Sequence, residues 1–225
     1  MELSENTLSV LKNFSGINQN ILINSGSTIK TISEARNVLA TAHVTEEFDQ
    51  SFGIYDLNEF IGVLGLVDTP RLKFQSESVV VGDSTGRSEV KYFFSAEETL
   101  TTPSKDINMP EAEVSFVLTN DTLSKLKRAA STLGHDELSI TGKDGVLNLS
   151  VMDNQNATSN AFSIDIDGEI KTDSTFNFIL SISNLKILPG DYEVDISSKL
   201  ITQFKNKDVN VTYWIALEKI SRFGV

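Results

Sequence analysis

Short runs in which apolar and polar residues alternate dominate the chain, and most of them predict β-strands. β-branched and aromatic residues bounded by turn-forming segments occupy residues 19–32, 36–56 and 71–94. The segment 138–141 alternates, 142–145 supplies a glycine-containing turn, and 146–151 alternates back, which predicts a hairpin. A further alternation over residues 209–217 predicts another strand.

Helical spacing of apolar residues is confined to four segments and predicts four helices. The two longer segments begin at polar caps and cover residues 4–17, with Leu8, Leu11 and Phe14 on one face, and 121–133, with Leu123, Leu126, Ala130 and Leu133. Two shorter segments each follow a strand. Asp56 is suited to cap a helix over residues 57–66, and Ser181 or Ser183 a helix ending at 188–190.

The two halves of the chain resemble each other. The sequence Thr7–Lys12 recurs as Thr122–Lys127, and a strand running into a short helix over residues 54–60 is echoed at 180–185. A match of six residues can be accidental, but the order of elements is the same in both halves. The repeat therefore predicts a first domain over residues 1–96, a linker over 97–113 and a second domain over 114–225.

The composition is acidic, with 31 Asp and Glu against 19 Lys and Arg, which gives a formal charge of -12. Such a charge repels the phosphate backbone, so any role on nucleic acid needs an uneven distribution of charge. Cysteine is absent, which excludes disulfides, thiolate catalysis and cysteine-based zinc sites. The N-terminal residues do not read as a signal peptide, and the longest apolar run, 60–67, is too short to cross a bilayer. We therefore expect an intracellular, soluble protein with no membrane partner.

No arrangement of residues predicts catalysis, a metal ion or a cofactor. His43 and His135 stand in unrelated contexts without a second ligand or relay partner at a useful spacing. Residues 165–168 resemble the start of a calcium loop, but the later acidic ligands are missing. Gly62 and Gly65 are not followed by the Lys and Ser or Thr of a phosphate-binding loop. We expect a protein that is not an enzyme.

Five blocks of sequence, in order along the chain, resemble the sliding clamp of tailed phages, the processivity factor of the DNA polymerase. The blocks lie within residues 3–14, 54–64, 175–179, 189–192 and 213–218. The resemblance implies an α+β fold with two similar clamp-type domains per chain, in which β-sheets lie outside and each domain places two helices on the inner face. It implies that three such chains close head to tail into a ring around double-stranded DNA.

The same resemblance implies the partners. They are the C-terminal peptide of the replicative DNA polymerase, an ATP-dependent clamp loader and two further copies of the chain, in the cytoplasm of the infected host cell. It implies a peptide pocket near the linker, for which the apolar candidates are Ile107, Met109, Pro110 and Phe223. Subunit contact is expected to join one edge strand of each domain, with residues 89–94 as the candidate in the first.

The predicted helix over residues 121–133 offers cations for DNA. With its leucines facing the core, Lys125 and Arg128 fall on the opposite face, whereas Lys127 and its repeat partner Lys12 fall at the boundary. Lys186, in the last predicted helix, is a further candidate. The residues alone fit a solvated helix face equally well. Together with the resemblance they predict a face that contacts DNA.

Two other classes of protein compete with a clamp. An acidic, β-rich virion or tail structural protein is the main alternative, but it has no reason to repeat a basic helix in each half. A nuclease is the second, and the missing carboxylate and histidine clusters weigh against it.

Overall fold

The computed structural model describes residues 1–156 and 158–224. The chain divides into two compact units, Met1–Lys105 and Asp106–Val225. The division falls inside the segment 97–113 that the sequence marks as a linker. Within the described part of the chain, no helix is both long and apolar enough to cross a membrane.

The first unit contains two helices and seven strands. The helices are α1 (Glu5–Ser15) and α2 (Leu57–Leu64). The strands are β1 (Ile21–Ile23), β2 (Gly26–Ile32), β3 (Val38–Phe48), β4 (Phe52–Ile54), β5 (Arg71–Phe74), β6 (Ser78–Gly82) and β7 (Glu89–Phe93). Both helices begin and end within three residues of the bounds that the sequence predicts.

Antiparallel pairing joins these strands into two sheets, in the orders β3-β2-β1-β4 and β5-β6-β7. The helices α1 and α2 pack against each other, and α1 also packs on β3. Four aromatic rings meet where β3, β4 and β5 converge with the residue after β7, with neighbouring centroids 5.0 to 6.4 Å apart: Phe48, Phe52, Phe74 and Phe94. Close ring contacts of this kind add to the stability that apolar burial gives the core.

The second unit contains helix α3 (Asn120–Leu133) and nine strands. The strands are β8 (Val114–Leu118), β9 (Glu137–Lys143), β10 (Val146–Val151), β11 (Phe162–Ile170), β12 (Phe176–Ser181), β13 (Tyr192–Ser197), β14 (Ile201–Asn206), β15 (Val211–Ala216) and β16 (Arg222–Phe223). They pair antiparallel in the order β16-β12-β9-β10-β11-β8-β13-β14-β15. Helix α3 packs on β10.

The predicted hairpin after α3 is present as β9 and β10. Lys143 pairs with Val146, so that only Asp144 and Gly145 form the turn. Both turn residues have positive φ, 54° and 80°, which is the conformation that two-residue hairpin turns require and that an Asp-Gly pair adopts readily. The turn residues therefore fix the register of the hairpin.

The fourth predicted helix is wrong. After β12 the chain makes a single 3₁₀ turn, Ile182–Asn184, and then continues without regular structure. Leu185, Ile187 and Leu188 are all buried, and three buried residues within four positions do not fit one stripe of a short surface helix. Pro189 follows and disfavours helical geometry in the residue before it.

Candidate nucleic-acid interface

Helix α1 begins at a hydroxyl cap that a carboxylate from β3 reinforces. The Ser4 Oγ accepts from the Thr7 N–H at 3.2 Å, and the Ser4 hydroxyl donates to Thr7 Oγ1 at 3.1 Å. Glu46 accepts from the Ser4 N–H and from the Thr7 hydroxyl. Partial burial raises the pKa of Glu46, but these hydrogen bonds outweigh it and leave the pKa below its ordinary value. The ionised carboxylate thus holds the start of the helix that carries Lys12.

Helix α3 begins at the same kind of cap. The Thr119 Oγ1 accepts from the Thr122 N–H at 3.2 Å, and the Thr119 hydroxyl donates to Thr122 Oγ1 at 3.0 Å. Thr7 and Thr122 are the first residues of the repeated sequence. The repeated sequence therefore folds into a repeated cap, and α3 begins one residue before the predicted Asp121.

The solvent face of α3 carries two cations and one acid. Lys125 and Arg128 are exposed, on the side opposite the buried Leu123 and Leu126, as the helical spacing predicts. The Lys125 Nζ lies 2.7 Å from the Asp121 carboxylate, and both side chains remain substantially exposed. The two cations are accessible to a polyanion, and their contact with DNA stays a prediction.

The two boundary lysines do not share one environment, so their predicted equivalence is wrong. Lys127 is half-buried, and burial lowers its pKa, whereas Lys12 is exposed. The reason lies in how each helix packs. Leu123 is buried in α3, but its repeat partner Leu8 is only half-buried in α1, because α1 turns a neighbouring part of its surface toward the core.

Lys186 lies outside any helix, since the fourth predicted helix is absent. It is exposed between buried Leu185 and buried Ile187. Lys186 therefore belongs to an extended segment of the same unit as α3. Its contact with DNA stays a prediction.

An apolar cavity of about 460 Å³ opens where the last turns of α3 meet the start of β11. Its lining residues are Lys125, Arg128, Ala129, Thr132, Leu133, Ala161 and Phe162. Sequence reasoning missed this cavity because its two walls are about thirty residues apart and no local pattern links them. It places apolar surface directly beside the two exposed cations.

The outer face of the same sheet is acidic. An open depression of about 770 Å³ crosses β8, β11 and β13, and its acidic lining residues are Asp167, Glu169, Glu193 and Asp195. Gly168 of β11 and Val194 of β13 both pair with buried Phe116 of β8, so alternation along β11 and β13 puts the four acids on the opposite face of the sheet. Within this unit, exposed cations of α3 and the acidic depression thus lie on opposite faces of the sheet. A protein with a net charge of -12 can bind DNA only if its charges are distributed unevenly, and this separation of cations from acids is such a distribution.

The candidate peptide-pocket residues all lie in the second unit. Ile107, Met109 and Pro110 are half-buried in irregular structure. Phe223 belongs to β16, which pairs with β12, and its ring stacks on that of Phe178 with centroids 6.2 Å apart. Phe223 keeps 36% of its surface exposed, so it presents an apolar edge to solvent. The assignment of these residues to a peptide site stays a prediction.

The histidines have local partners. His43 Nδ1 lies 3.0 Å from the Thr28 hydroxyl, and His135 Nε2 lies 3.0 Å from the Asn160 carbonyl oxygen. Among residues 1–156 and 158–224, no group of three His, Cys, Asp or Glu side chains is placed to hold a metal ion.

Comparison with known protein families assigns each half of the chain. Residues 4–99 match the family described as DNA polymerase processivity factor, and residues 115–219 match the family described as gp45 sliding clamp, C terminal. The sliding clamp of Vibrio phage KVP40 is 32% identical to this chain. The alignment covers 98% of this chain and the full length of the KVP40 protein. The sliding clamps of Escherichia phage RB69 and Enterobacteria phage T4 are 32% and 31% identical, with 97% of each chain covered.

Solved structures agree on the fold. The proliferating cellular nuclear antigen of Entamoeba histolytica superposes with a TM-score of 0.67 at 12% identity, covering 95% of both chains. The PCNA2-PCNA3 complex of Sulfolobus tokodaii gives 0.68 at 13% identity, covering 97% of this chain and 98% of that one. The predicted α+β fold with two clamp-type domains is confirmed, with three α-helices in the described residues in place of the four expected.

Proposed function

This chain belongs to the sliding clamp family of tailed phages, whose members are scaffolds rather than enzymes, and we propose that it encircles duplex DNA and tethers the replicative DNA polymerase for processive synthesis. The observation that carries the proposal is the exposed pair Lys125 and Arg128 on a capped helix of an otherwise acidic chain. The alternative, a virion or tail structural protein, is dropped because the chain belongs to the sliding clamp family and no feature of the chain favours a structural role.

The contact with DNA is weak in this proposal because each subunit offers few cations. A few cations per subunit give a sequence-independent, salt-sensitive interaction with phosphates. Such contacts hold no single register on the duplex, so the protein can slide. Residence on DNA then comes from topology, because a closed ring cannot leave a circular duplex whatever the strength of its contacts. Acids on the outer face keep DNA away from the exterior.

The ring is a homotrimer in this proposal, and two unpaired strand edges support it. In the described residues, β7 ends its sheet and pairs only with β6. The first six residues of β11 pair with β10 on one side, whereas β8 reaches only the last three, Gly168–Ile170. Exposed edges of this kind accept a strand from another chain. A head-to-tail contact between β7 of one copy and β11 of the next uses both edges and closes into a ring.

An antiparallel register that matches both edges can be written residue by residue. It sets half-buried Val90 and Tyr92 opposite half-buried Ile166 and Ile164 of the next copy. In this register Lys91 faces Asp165 across the contact, and the residue after β7 reaches the start of β11, beside the apolar cavity. The match of apolar with apolar and of cation with acid supports this pairing over a shift by one residue, which would turn every side chain to the other face.

The cysteine-free sequence makes this register testable. Lys91→Cys with Asp165→Cys in one chain should form disulfides between copies under oxidising conditions and give covalent trimers. Lys91→Cys with Glu169→Cys is the matched control, since its sulfur atoms would lie too far apart to bond. Cross-linking in the control alone would overturn the register and leave the ring itself standing.

The proposal includes the partners expected of a clamp. The polymerase is held through its C-terminal peptide, for which Ile107, Met109, Pro110 and Phe223 form the site, and an ATP-dependent clamp loader opens the ring. The segment 97–113 serves as the linker between a domain at 1–96 and another at 114–225. The protein acts in the cytoplasm of the infected host cell.

Retention on DNA tests the function itself. The chain, loaded on a nicked circular duplex, should stay bound at moderate salt and should be released when the same circle is cut. Sedimentation equilibrium over a range of concentration should give a trimer of the 24.7 kDa chain. A monomer that persists to high micromolar concentration would overturn the proposal, because a single chain cannot encircle a duplex.

A further inference from the structure

The two units differ in the strand that precedes their first helix. In the second unit, β8 lies between β11 and β13 and pairs with three residues of the one and five of the other. The repeat places residues 1–3 of the first unit where residues 116–118 stand in β8. In the described residues, Glu2 forms one isolated bridge, with Arg71 at the start of β5. As a result, β3 and β5 belong to separate sheets, whereas β11 and β13 belong to one.

Residues 1–4, which we name the latch, connect the two sheets of the first unit. Toward β5, the Met1 nitrogen donates to the Leu72 carbonyl oxygen at 2.8 Å, and the Leu72 N–H donates to the Met1 carbonyl oxygen at 2.7 Å. Toward β3, the Ser4 N–H donates to the Glu46 carboxylate. The latch thus holds with one bridge and a few hydrogen bonds the position that a paired strand occupies in the second unit.

The opposite end of the sheet β5-β6-β7 is held by aromatic packing. Phe74, the last residue of β5, and Phe94, the residue after β7, both contact Phe52 of β4, with ring centroids 5.0 and 5.1 Å apart. The Ser95 N–H also donates to the Gly53 carbonyl oxygen at 3.0 Å. This packed end combines apolar contact with a backbone hydrogen bond, so it is the firmer of the two attachments.

Each end of β7 lies in line with one of these attachments. Arg71 pairs with Gly82, and Gly82 pairs with Glu89, the first residue of β7. The start of β7 is therefore in register with the bridge to the latch. Tyr92, near the other end of β7, packs on Phe60 of α2 with ring centroids 5.2 Å apart. The end of β7 is thus held by packing, whereas its start depends on the latch.

We propose that release of the latch opens the ring by a motion inside the first unit. The sheet β5-β6-β7 turns about its packed end, and the start of β7 moves away from β11 of the next copy. Separation of one bridge costs less than separation of a ladder, because each cross-strand pair and backbone hydrogen bond adds stability. The strand β11 lies in a continuous sheet and has no comparable break. This inference rests on the proposed function, because it takes β7 as the subunit contact.

A disulfide across the latch tests the motion. Direct partners on antiparallel strands have Cα atoms about 4.5 to 5.5 Å apart, which suits a disulfide, so Glu2→Cys with Arg71→Cys should fix the latch. Native mass spectrometry of mixed light and isotopically heavy trimers measures ring opening as subunit exchange. Oxidation should slow exchange by at least about tenfold relative to the reduced variant, because the start of β7 can no longer move. Val117→Cys with Glu193→Cys is the matched control, since these exposed partners occupy the same place in the second unit, and its oxidation should leave exchange unchanged. Equal exchange of the oxidised and reduced latch variant, or equal slowing in the control, would overturn the proposal.

Charge variants test the latch without a disulfide. Glu2 and Arg71 are exposed partners, so Glu2→Arg sets two like charges opposite each other and should speed subunit exchange several-fold. Glu2→Arg with Arg71→Glu restores opposite charges and should return the rate to that of the parent chain. An unchanged rate for Glu2→Arg, or a faster rate that the exchange of charges does not restore, would overturn the latch and leave the trimer standing. A parent chain that forms no trimer would instead remove the ring, and the latch with it.

Discussion

The Nζ of Lys125 lies 2.7 Å from the carboxylate of Asp121, one helical turn earlier on the exposed face of α3. An acid therefore sits beside a cation on the surface proposed to meet DNA. Exposed pairs of this spacing contribute about 0.3 to 0.5 kcal/mol to helix stability. The pair matters more for the field at the surface, because Asp121 both offsets the charge of Lys125 and repels phosphate.

Asp121→Asn should strengthen binding to duplex DNA. Loss of the acid leaves Lys125 unopposed, so we expect affinity at low salt to rise several-fold and the advantage to shrink as salt is added. The free energy of unfolding should fall by no more than about 1 kcal/mol, since an acid in the first turn favours the helix only modestly. Fluorescence anisotropy with a short duplex provides the measurement. Glu193→Gln makes an equal change of charge on the outer face and should have little effect on DNA affinity. If Glu193→Gln raised the affinity as much as Asp121→Asn, the effect would come from net charge alone.

Glu46 should make the first unit sensitive to acid. Its pKa is lowered in the folded chain, so its stabilising contribution is present above the unfolded value near 4.5 and is lost as pH falls through the folded pKa. Glu46→Gln should lower the free energy of unfolding at neutral pH by about 1 to 2 kcal/mol, near the lower end for charged hydrogen bonds because the site is half-exposed. Urea titrations between pH 3 and 7 should show a flatter profile for the variant. Exposed Glu47→Gln serves as the control, and equal losses for the two would contradict a specific cap.

Gly190→Ala and Gly62→Ala should change stability in opposite directions. Gly190 has a φ of 139°, and a Cβ there would lie 2.8 Å from the Asn206 side-chain nitrogen, so we expect a loss of more than about 1 kcal/mol. Gly62 lies inside α2 with nothing within 4 Å of a Cβ, so alanine should stabilise the chain by about 0.4 to 1 kcal/mol. Thermal and urea unfolding would compare the two. A neutral Gly190→Ala would show that the chain between β12 and β13 tolerates another backbone path.

Phe223→Ala should weaken binding of the polymerase C-terminal peptide. The ring stacks on Phe178 yet remains 36% exposed, so its loss removes apolar contact surface and little of the core. We expect an affinity loss of about tenfold, as for a central aromatic contact, with an unchanged trimer mass. Isothermal calorimetry with the peptide measures it. Ile220→Ala, an exposed apolar residue three positions earlier, is the control, and equal losses would place the peptide over a broader surface.

The hairpin and the starts of the helices could be predicted from the sequence because the interactions that form them are local. The Asp144-Gly145 turn, the threonines that begin each repeat and the alternation of β15 depend on residues a few positions apart. The helical spacing of α3 likewise put Lys125 and Arg128 on the exposed face correctly. The fold class followed from the repeat together with the family resemblance, not from any single element.

Contacts between distant residues decided the rest. Nothing near Lys186 in the sequence indicates that Tyr192, Tyr213 and Asn120 would hydrogen-bond to the backbone of the residues that follow it. The half-buried state of Lys127 depends on how α3 packs on its sheet, and the cavity beside Phe162 needs two segments that only folding brings together. The sequence by itself determined which residues are able to form caps, turns and strands, since those energies are local. The tertiary structure alone decided which side chains share a face, because burial and long-range hydrogen bonds outweigh local preference wherever the two differ.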